Sequence, residues 1–334
     1  MIDLISVIIP AYNSEKTIVN TIEALIKQNY PKKNYEILVV DDGSTDATRN
    51  VVKKIKKVRL IKQNHNGPAA ARNLGAKKSR GDILLFTDAD CIPDKNWIKE
   101  MTMPFKNSNI VGVSGTYKTL NKNKFMARFV GYEIEQRHER MKKHKFIDFI
   151  GTFSAAYRKK IFFKFGGFDT RFKTSSGEDP ELSYRIDKAG LKMVFQPKAI
   201  VFHPHPDSLW KYLKQKYQRA VWRNLMYWGK HEEKIFSDSY TPKSTFLQLF
   251  FSGLFILMTL VLFLSKFSII FLIAFLFISL FSLALLLNID FIMFLFKKEK
   301  SMIFYTPLIL MLRNLVVIFG IFNGFFKYIL KRLA

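Results

Sequence analysis

The first half of the chain alternates short apolar runs with segments of helical character. The runs "ISVIIPAY", "YEILVVDD", "VRLIKQ" and "DILLFTD" are rich in Val, Ile and Leu, and each has the length of one β-strand. The segments between them, "TIVNTIEALIKQ", residues 45–56 and "PAAARNLGAKKS", predict helices, the last with Pro68 in its first turn. This succession predicts an α/β fold in which helices cover both faces of a parallel sheet.

Polar side chains follow three of these predicted strands, at the point where each strand ends. Asn13 follows the first strand, Asp41 and Asp42 the second, and Asp88 and Asp90 the fourth. Ligands of parallel sheets bind beyond the carboxyl ends of the strands, so we expect these side chains to share one site. Crowded carboxylates repel each other unless a cation lies among them, and the sequence therefore predicts a cation at this edge.

The C-terminal third is far more apolar than the rest. Residues 245–264 and 267–287 are two apolar runs interrupted by one charge, Lys266. About 20 helical residues, each rising about 1.5 Å, span the roughly 30 Å hydrocarbon core, so both runs predict transmembrane helices rather than buried soluble ones. A third run, 302–329, contains Arg313 and Asn314. It predicts either a span whose polar pair faces a bundle or pore, or two half-helices that turn back.

Charge and cysteine content narrow the class of protein. The 53 Lys and Arg outnumber the 27 Asp and Glu, for a net charge of +26, which indicates a polyanionic partner, either nucleic acid or an anionic membrane surface. A single cysteine, Cys91, excludes an internal disulfide framework and a cysteine-rich zinc site. Its position beside the acidic residues is best explained by a small buried side chain.

Each polar motif also has a purely structural explanation. "DDGSTD" is compatible with a strand-to-helix turn in which Gly43 takes a positive φ and Ser44 or Thr45 caps the next helix. "TDAD" is compatible with a solvated turn, and "NGPAAARNLGA" with an ordinary Gly-Pro helix start. The order and spacing of all three motifs on successive strand ends favour a functional site.

The motifs together resemble a known enzyme family. "VIIPAYN", "VVDDGSTD", "NGPAAARNLGA", "FTDAD", "GGFDTRF" and "GEDPELSYRI" occur over residues 4–230 in the order typical of family 2 inverting glycosyltransferases. The resemblance implies a GT-A fold, a Rossmann-like mixed sheet with helices on both faces. It also implies transfer of a sugar, with inversion, from a nucleoside diphosphate sugar, usually linked to UDP, to an acceptor hydroxyl or phosphate.

The resemblance assigns the nucleotide side of the site. Asp88 lies toward the ribose, and Asp90 ligates Mn²⁺ or Mg²⁺, a hard cation that neutralises the leaving diphosphate. Asp41 and Asp42 match positions near the uracil, with Asp41 favoured for the base contact. The remaining nucleotide-binding positions are Pro10, Ala11, Tyr12, Asn13 and Arg72.

The acceptor side follows from the same resemblance. Asp179 in "GEDPELSYRI" matches the catalytic base, and Glu178 holds the acceptor or orients Asp179. Because Pro180 follows it, Asp179 is also expected to be an N-cap. Phe168 and Asp169 in "GGFDTRF" belong to the acceptor-side loop.

Two histidines and an aromatic helix follow. His203 and His205 alternate along an extended segment and are expected to project from one face; His203 is favoured as a further metal ligand, with Asp88 as a third. A surface histidine pair is the alternative.

The segment beginning "SLWKYLKQKYQRAVW" predicts an interfacial helix on anionic headgroups. The Gln-x-x-Arg-Trp pattern of processive polysaccharide synthases is not met, because Trp222 lies beyond Arg219, which argues against processivity.

The sequence therefore predicts a membrane-bound glycosyltransferase that acts on a lipid or lipid-linked saccharide. Residues 1–207 form the catalytic domain (1–90 the nucleotide-binding half, 91–207 the acceptor half), 208–244 an amphipathic helix and linker, and 245–334 a multi-pass membrane region, with the catalytic domain in the cytoplasm. The alternatives are a processive polysaccharide synthase and a membrane-tethered nucleic-acid-binding protein, which the charge would suit but no motif supports.

Overall fold

The computed structural model describes residues 4–172, 177–227, 238–241, 243–264 and 268–333. The chain divides into two compact units. The sheet unit comprises residues 1–122 and 138–205, and the helical unit comprises residues 123–137 and 206–334. The linker predicted between the interfacial helix and the membrane region falls largely on residues 228–237, which lie outside the described part of the chain.

The sheet unit is built on an eight-stranded mixed sheet with the order β3-β2-β1-β4-β7-β6-β8-β5. Its strands are β1 Ile5–Ala11, β2 Tyr35–Asp42, β3 Arg59–Gln63, β4 Ile83–Phe86, β5 Ile92–Pro93, β6 Ile110–Thr119, β7 Ala155–Arg158 and β8 Lys192–His203. Its helices are α1 Ile18–Ile26, α2 Thr48–Lys53, α3 Pro68–Lys78, α4 Trp97–Thr102, α6 Lys159–Lys164 and α7 Glu178–Lys188. The predicted α/β class and the mixed sheet implied by the resemblance are confirmed.

Strand direction brings the chemistry to one edge of this sheet. β1, β2, β3 and β4 are mutually parallel, and their residues Ile5, Val7, Ile8, Val39 and Leu85 are fully buried, as the continuous apolar runs predict. β7 is antiparallel to both β4 and β6, and β8 is parallel to β6. β6 and β8 therefore point the same way as β4, so the ends of β1, β2, β4 and β8 share one edge.

The helical unit contains the apolar C-terminal part of the chain. Its elements are the first part of α5 (Phe125–Met141), α8 Leu209–Tyr227, α9 Lys243–Leu264, α10 Ile269–Leu286, α11 Ile289–Lys298 and α12 Thr306–Leu333. Three helical segments are long and apolar enough to cross a membrane: Ser244–Leu264, Ile269–Leu286 and Thr306–Phe326. α12 is one continuous helix, so of the two alternatives predicted for this run, the one with two half-helices is wrong. Arg313 and Asn314 are buried within the unit, as predicted for a polar pair that faces a bundle.

α5 belongs to two units at once. The predicted catalytic domain includes residues 123–137, whereas the structure groups them with the helical unit. The reason is the apolar face of the helix: Met126, Phe129 and Val130 are buried in a cluster that includes Leu295 and Leu310. This face has helical spacing, so burial of about 25 cal/mol per Å² of apolar surface favours packing against other helices.

A buried ionic cluster joins four helices of the helical unit. Glu133 of α5 accepts hydrogen bonds from Tyr212 and Lys216 of α8 and from Arg313 of α12, each at 3.1 Å, and Arg313 also donates to Gln248 of α9. Burial alone would raise the pKa of Glu133, but Lys216 and Arg313 outweigh burial and lower its pKa to about 2. Glu133 is thus a buried carboxylate shared by two cations.

Removing this carboxylate should destabilise the protein strongly. In Glu133→Ala, the buried Arg313 and the largely buried Lys216 lose their shared counter-ion, which typically costs about 3–5 kcal/mol. Glu135→Ala on the same helix is the matched control, because its ion pair with Lys298 is about 40% exposed on each side and worth at most about 1 kcal/mol. Thermal unfolding in one detergent should show a much larger decrease in Tm for Glu133→Ala. Equal decreases would contradict a stabilising role for the buried cluster.

Candidate active site

Arg72 lies at the centre of the polar edge of the sheet. This residue of α3 is fully buried, and its guanidinium donates to Asp88 Oδ1 at 2.7 Å and to Glu178 Oε1 at 2.9 Å. Burial alone would lower the pKa of Arg72, but the nearby carboxylates of Asp88 and Glu178 raise it. One arginine therefore joins the motif after β4 to the motif that begins α7, which are separated by 90 residues in sequence.

The start of α3 is fixed by the second aspartate of "DDGSTD". Asp42 is buried and accepts hydrogen bonds from the backbone N–H groups of Asn66 and Gly67, both at 2.9 Å, and from Gln63 Nε2 at 2.6 Å. Gly67 has φ +92°, which L-residues with a side chain rarely adopt. Asp42 thus holds the loop that positions α3, and with it Arg72.

The first aspartate of the same motif is bonded to residues close to it in sequence. Asp41 is fully buried, accepts from the Ser44 N–H at 3.2 Å and pairs with Arg49. Asn13, which has φ +48°, accepts from the Thr45 N–H at 2.9 Å and so ties the end of β1 to this turn. In the described structure these groups brace the loops around the expected base position.

An exposed ring pair lies beside this loop. Tyr12, at the end of β1, is exposed, and its ring stacks on that of His65 with centroids 4.1 Å apart. His65 Nδ1 is 3.0 Å from a carboxylate oxygen of Asp42. Pro10 is partly buried and Ala11 is buried, so Tyr12 supplies most of the accessible apolar surface of the predicted base wall.

Asp90 and His203 form the pair with metal-binding chemistry. His203 Nε2 at the end of β8 is 3.3 Å from Asp90 Oδ2. Burial raises the pKa of Asp90, but its hydrogen bond and charge interaction with His203 lower it overall. Donor atoms of Asp90, Cys91 and His203 all lie within 4.8 Å of one another. His205 lies beside this group: its ring centroid is 5.4 Å from that of His203, its backbone exchanges two hydrogen bonds with Asn121, and its side chain is buried.

These residues fit a hard divalent cation better than a soft one. A carboxylate and an imidazole suit Mn²⁺, and few protein ligands are needed when substrate phosphates complete the shell. Cys91 fits poorly, because burial and then the charges of Asp88 and Asp90 raise the pKa of its thiol well above the ordinary value. Asp88 gives one oxygen to Arg72 and is not part of the group of atoms within 4.8 Å.

The start of α7 presents the second acidic pair. α7 begins at Glu178 with Gly177 at the N-cap position, so the expectation that Asp179 is the N-cap is wrong; it is the second residue of the helix. Glu178 is buried and held by Arg72, whereas Asp179 is half-buried. The Thr152 N–H lies 3.4 Å from Asp179 Oδ2. Asp179 is therefore the more accessible carboxylate of the pair.

The "GGFDTRF" loop packs against α3 next to Arg72. Phe168 is buried, its backbone N–H and C=O both bond to the Asn73 amide of α3, and its ring lies 5.9 Å from the Arg72 guanidinium. Gly167 has φ +68°, and a Cβ there would lie 2.7 Å from Asn73 Oδ1. Asp169 pairs with the exposed Arg171. Phe168 thus acts as a support beneath Arg72 and does not reach solvent.

Three residues that shape this site were not among the predicted site residues. Asn73 and Gly167 fix the loop beneath Arg72, and His65 covers the Tyr12 ring. Asn73 directly follows Arg72 in "AARNLG", so its proximity in sequence was a usable signal. The His65–Tyr12 stack joins two loops 53 residues apart and leaves no such signal.

Comparisons with known proteins agree with this description. The sequence profile "Glycosyl transferase family 2" matches residues 6–165. The chain is 30% identical over 246 residues to "Probable glycosyltransferase YdaM" of Bacillus subtilis, which covers 69% of the chain and 56% of that protein. The chain thus spans little more than half the length of this relative. A Methanococcus voltae protein, a dolichyl N-acetyl-α-D-glucosaminyl phosphate 3-β-D-2,3-diacetamido-2,3-dideoxy-β-D-glucuronosyltransferase, is 27% identical over 97% of the chain and 98% of its own length.

A solved structure shares the fold along nearly the whole chain. It is the mannosyltransferase PcManGT from Pyrobaculum calidifontis in complex with GDP-Man and Mn²⁺, with a TM-score of 0.65 and 16% identity. The match covers 97% of this chain and 87% of that one. At this identity the likeness establishes the fold.

Proposed function

Because the chain belongs to glycosyl transferase family 2, we propose that it moves a sugar from a UDP-linked donor to a lipid-linked acceptor, with inversion at the anomeric carbon. One observation carries the proposal: Arg72 bonds to both Asp88 and Glu178, so the donor-side and acceptor-side motifs meet in one place. Inversion follows from direct displacement, in which the acceptor oxygen attacks the face of the sugar opposite the leaving diphosphate.

Residues of the chain can accept the proton of the acceptor hydroxyl and hold the metal that neutralises the leaving diphosphate. Asp179 takes the proton from the acceptor hydroxyl as the new C–O bond forms and the bond to the diphosphate breaks. Glu178, fixed by Arg72, holds the first turn of α7 in place. Asp90 and His203 would hold a divalent metal, and that metal, when bound, neutralises charge on the leaving diphosphate. The Mn²⁺ in the structurally similar mannosyltransferase supports this assignment.

A membrane acceptor is supported by two independent features. The Methanococcus voltae relative acts, by its name, on a dolichyl-linked sugar phosphate, and it matches this chain along nearly its full length. The helical unit carries three helices apolar enough to cross a bilayer. Anchoring an enzyme in the membrane raises the local concentration of a lipid-linked substrate, which a soluble acceptor would not require.

Ion pairs within the helical unit support the proposed orientation in the membrane. Glu299 accepts two hydrogen bonds from Arg128, both at 3.0 Å, and Lys298 pairs with Glu135 at 2.7 Å. The segment after α11 therefore touches α5. α5 follows β6 after five residues, too few to cross about 30 Å of hydrocarbon. These contacts support an even number of bilayer crossings between α8 and Lys298, and the basic cluster at 297–300 favours the cytoplasm for that side.

Cysteine labelling in intact cells tests this orientation. Because Cys91 is buried, an introduced cysteine is the reactive one. Ser268→Cys, between α9 and α10, should react with a membrane-impermeant maleimide, whereas Lys298→Cys should react only after the cells are permeabilised. Labelling of Lys298→Cys from outside would overturn the cytoplasmic orientation.

A nucleotide panel tests the function itself. The purified protein should be stabilised by UDP with Mn²⁺, more than by GDP with Mn²⁺ or by UDP with EDTA, and should transfer sugar from a UDP-sugar to a membrane extract. The strong positive charge makes RNA and DNA necessary controls. Stabilisation by nucleic acid alone, without a metal-dependent nucleotide effect, would replace the enzyme proposal with a nucleic-acid-binding function.

A further inference from the structure

The outward face of α12 is apolar along its described length. Leu308, Phe319, Phe322 and Phe326 are 43–64% exposed and recur every three or four residues with the half-exposed Leu312 and Leu315. The stripe from Leu308 to Phe326 covers about 27 Å at about 1.5 Å per residue. The opposite face is buried and carries Arg313 and Asn314. α12 therefore presents one side to an apolar medium and the other to protein.

α8 runs along the buried side of α12. At one end, Lys216 and Arg313 share Glu133. Farther along, a Cβ on Gly320 would lie 2.7 Å from Ala220 Cβ and 2.8 Å from the Tyr217 carbonyl oxygen, so the two backbones are in close approach. Asn323 of α12 hydrogen-bonds to the Tyr217 hydroxyl. The stretch from Arg313 to Asn323 thus lies beside α8.

The exposed side of α8 is incompatible with hydrocarbon. Lys211, Lys214, Gln218 and Arg219 are all exposed, and a charged side chain at the bilayer centre costs at least about 2.5–3.5 kcal/mol. α8 must therefore lie at the level of the headgroups or water, and so must the stretch of α12 beside it. Only ten residues remain from Asn323 to Leu333, about 15 Å of helix, which is half of the hydrocarbon thickness.

The charge distribution points to the same arrangement. Lys327, Lys331 and Arg332 follow the apolar stripe, and Lys297, Lys298 and Lys300 precede α12. If α12 crossed the membrane, these two basic clusters would lie on opposite sides, against the usual excess of Lys and Arg on the cytoplasmic side. If α12 lies in the plane of the membrane, both clusters stay on that side.

We propose that α12 lies in the plane of the membrane with its Leu308–Phe326 stripe against the acyl chains of one leaflet, and that α9 and α10 form the hairpin that crosses. α8 then covers α12 from the aqueous side, with its exposed lysines and Trp210 toward the headgroups. The proposal rests on the membrane association stated above and is independent of donor, acceptor and catalysis. It differs from the span that the length and composition of α12 suggest.

Depth measurements distinguish the two arrangements. Nitroxide labels are placed at Leu308→Cys and Phe322→Cys on α12, and at Leu247→Cys and Val261→Cys on α9, in the full-length protein in liposomes. Both pairs are 14 residues apart, about 21 Å along a helix. The depth of each label in the bilayer is obtained from the ratio of its accessibility to oxygen and its accessibility to a water-soluble nickel complex. The two labels on α12 should have similar depths, and the two labels on α9 should have very different depths. A difference on α12 as large as that on α9 would overturn the proposal.

The position of the C-terminus provides a second readout. A peptide tag fused after Ala334 should be cleaved by external protease only after the cells are permeabilised. The reason is that the proposed arrangement places the tag on the same side of the membrane as Lys298. Cleavage in intact cells would show that α12 crosses. Neither measurement requires activity, so a protein that fails the UDP and transfer assays can still pass both, and the two proposals fail separately.

Discussion

Asp90→Ala is expected to abolish Mn²⁺-dependent binding of UDP. Asp90 and His203, 3.3 Å apart, are the two accessible groups with suitable ligand atoms in the described cluster, and the substrate diphosphate supplies the remaining oxygens. A shell with so few protein ligands has no replacement for a lost carboxylate. Titration with UDP in the presence of Mn²⁺ should therefore show no saturable binding, and transfer should fall to background.

Asp94→Ala is the matched control for this change. Asp94 lies in the same acidic stretch, but its carboxylate accepts from the Asn96 N–H at 3.0 Å in the turn before α4. Losing that bond should cost at most about 1–2 kcal/mol of stability and leave UDP binding within a few-fold of the parent protein. Equal losses of binding in the two variants would mean that the metal site has been misplaced.

His203→Asn offers a graded version of the same test. Losing the imidazole leaves Asp90 in place, so binding should weaken and its preference among Mn²⁺, Mg²⁺ and Zn²⁺ should shift away from metals that favour nitrogen ligands. His205→Asn should leave that preference unchanged, because no ring nitrogen of His205 belongs to the group of donor atoms that lie within 4.8 Å of one another. A shift produced by His205→Asn alone would reverse the assignment between the two histidines.

The pattern of apolar strands and intervening helices predicted the architecture of the sheet unit. It could not predict which site residues contact each other. Continuous apolar strands with intervening helices specify a covered parallel sheet, and polar residues at strand ends specify its active edge. The contact of Arg72 with Glu178 depends on how β7 inserts antiparallel between β4 and β6, which no local pattern encodes. Long-range register of this kind is set by packing over the whole sheet.

The helical unit shows a different limit. Hydropathy identified α9, α10 and α12 as apolar, because length and composition suffice for that. Whether a helix crosses or lies flat depends on what covers its other face, and for α12 that cover includes α8, about 100 residues earlier in the chain. Arg313 in the middle of an apolar run was the local sign, since a buried cation needs a partner such as Glu133.

Asp179→Asn is expected to lower transfer by at least about a hundredfold, because general-base assistance is typically worth about 10²–10⁴-fold. Among the three acidic residues in the first turn of α7, Asp179 is the least buried. Glu178 is bonded to Arg72, and both oxygens of Glu181 accept from Arg185, so arginines already occupy the other two carboxylates. Asparagine has nearly the same shape as aspartate but cannot take up the acceptor's proton at neutral pH.

The position of Asp179 within the helix sharpens this test. Since Gly177 is the N-cap residue, neither Asp179→Asn nor Asp179→Ala removes a side-chain cap. Each loses the interaction of the carboxylate with the helix dipole, worth about 0.3–1 kcal/mol, and Asp179→Ala also loses the acceptor of the Thr152 N–H, worth about 1 kcal/mol more. Both variants should therefore fold, retain Mn²⁺-dependent UDP binding and lose kcat with little change in donor KM. Asp187→Asn, in the last turn of the same helix, should transfer normally. Near-normal transfer by Asp179→Asn, with UDP binding intact, would show that the base lies elsewhere, and Glu178 and then Glu181 would be tested by the same amide substitution.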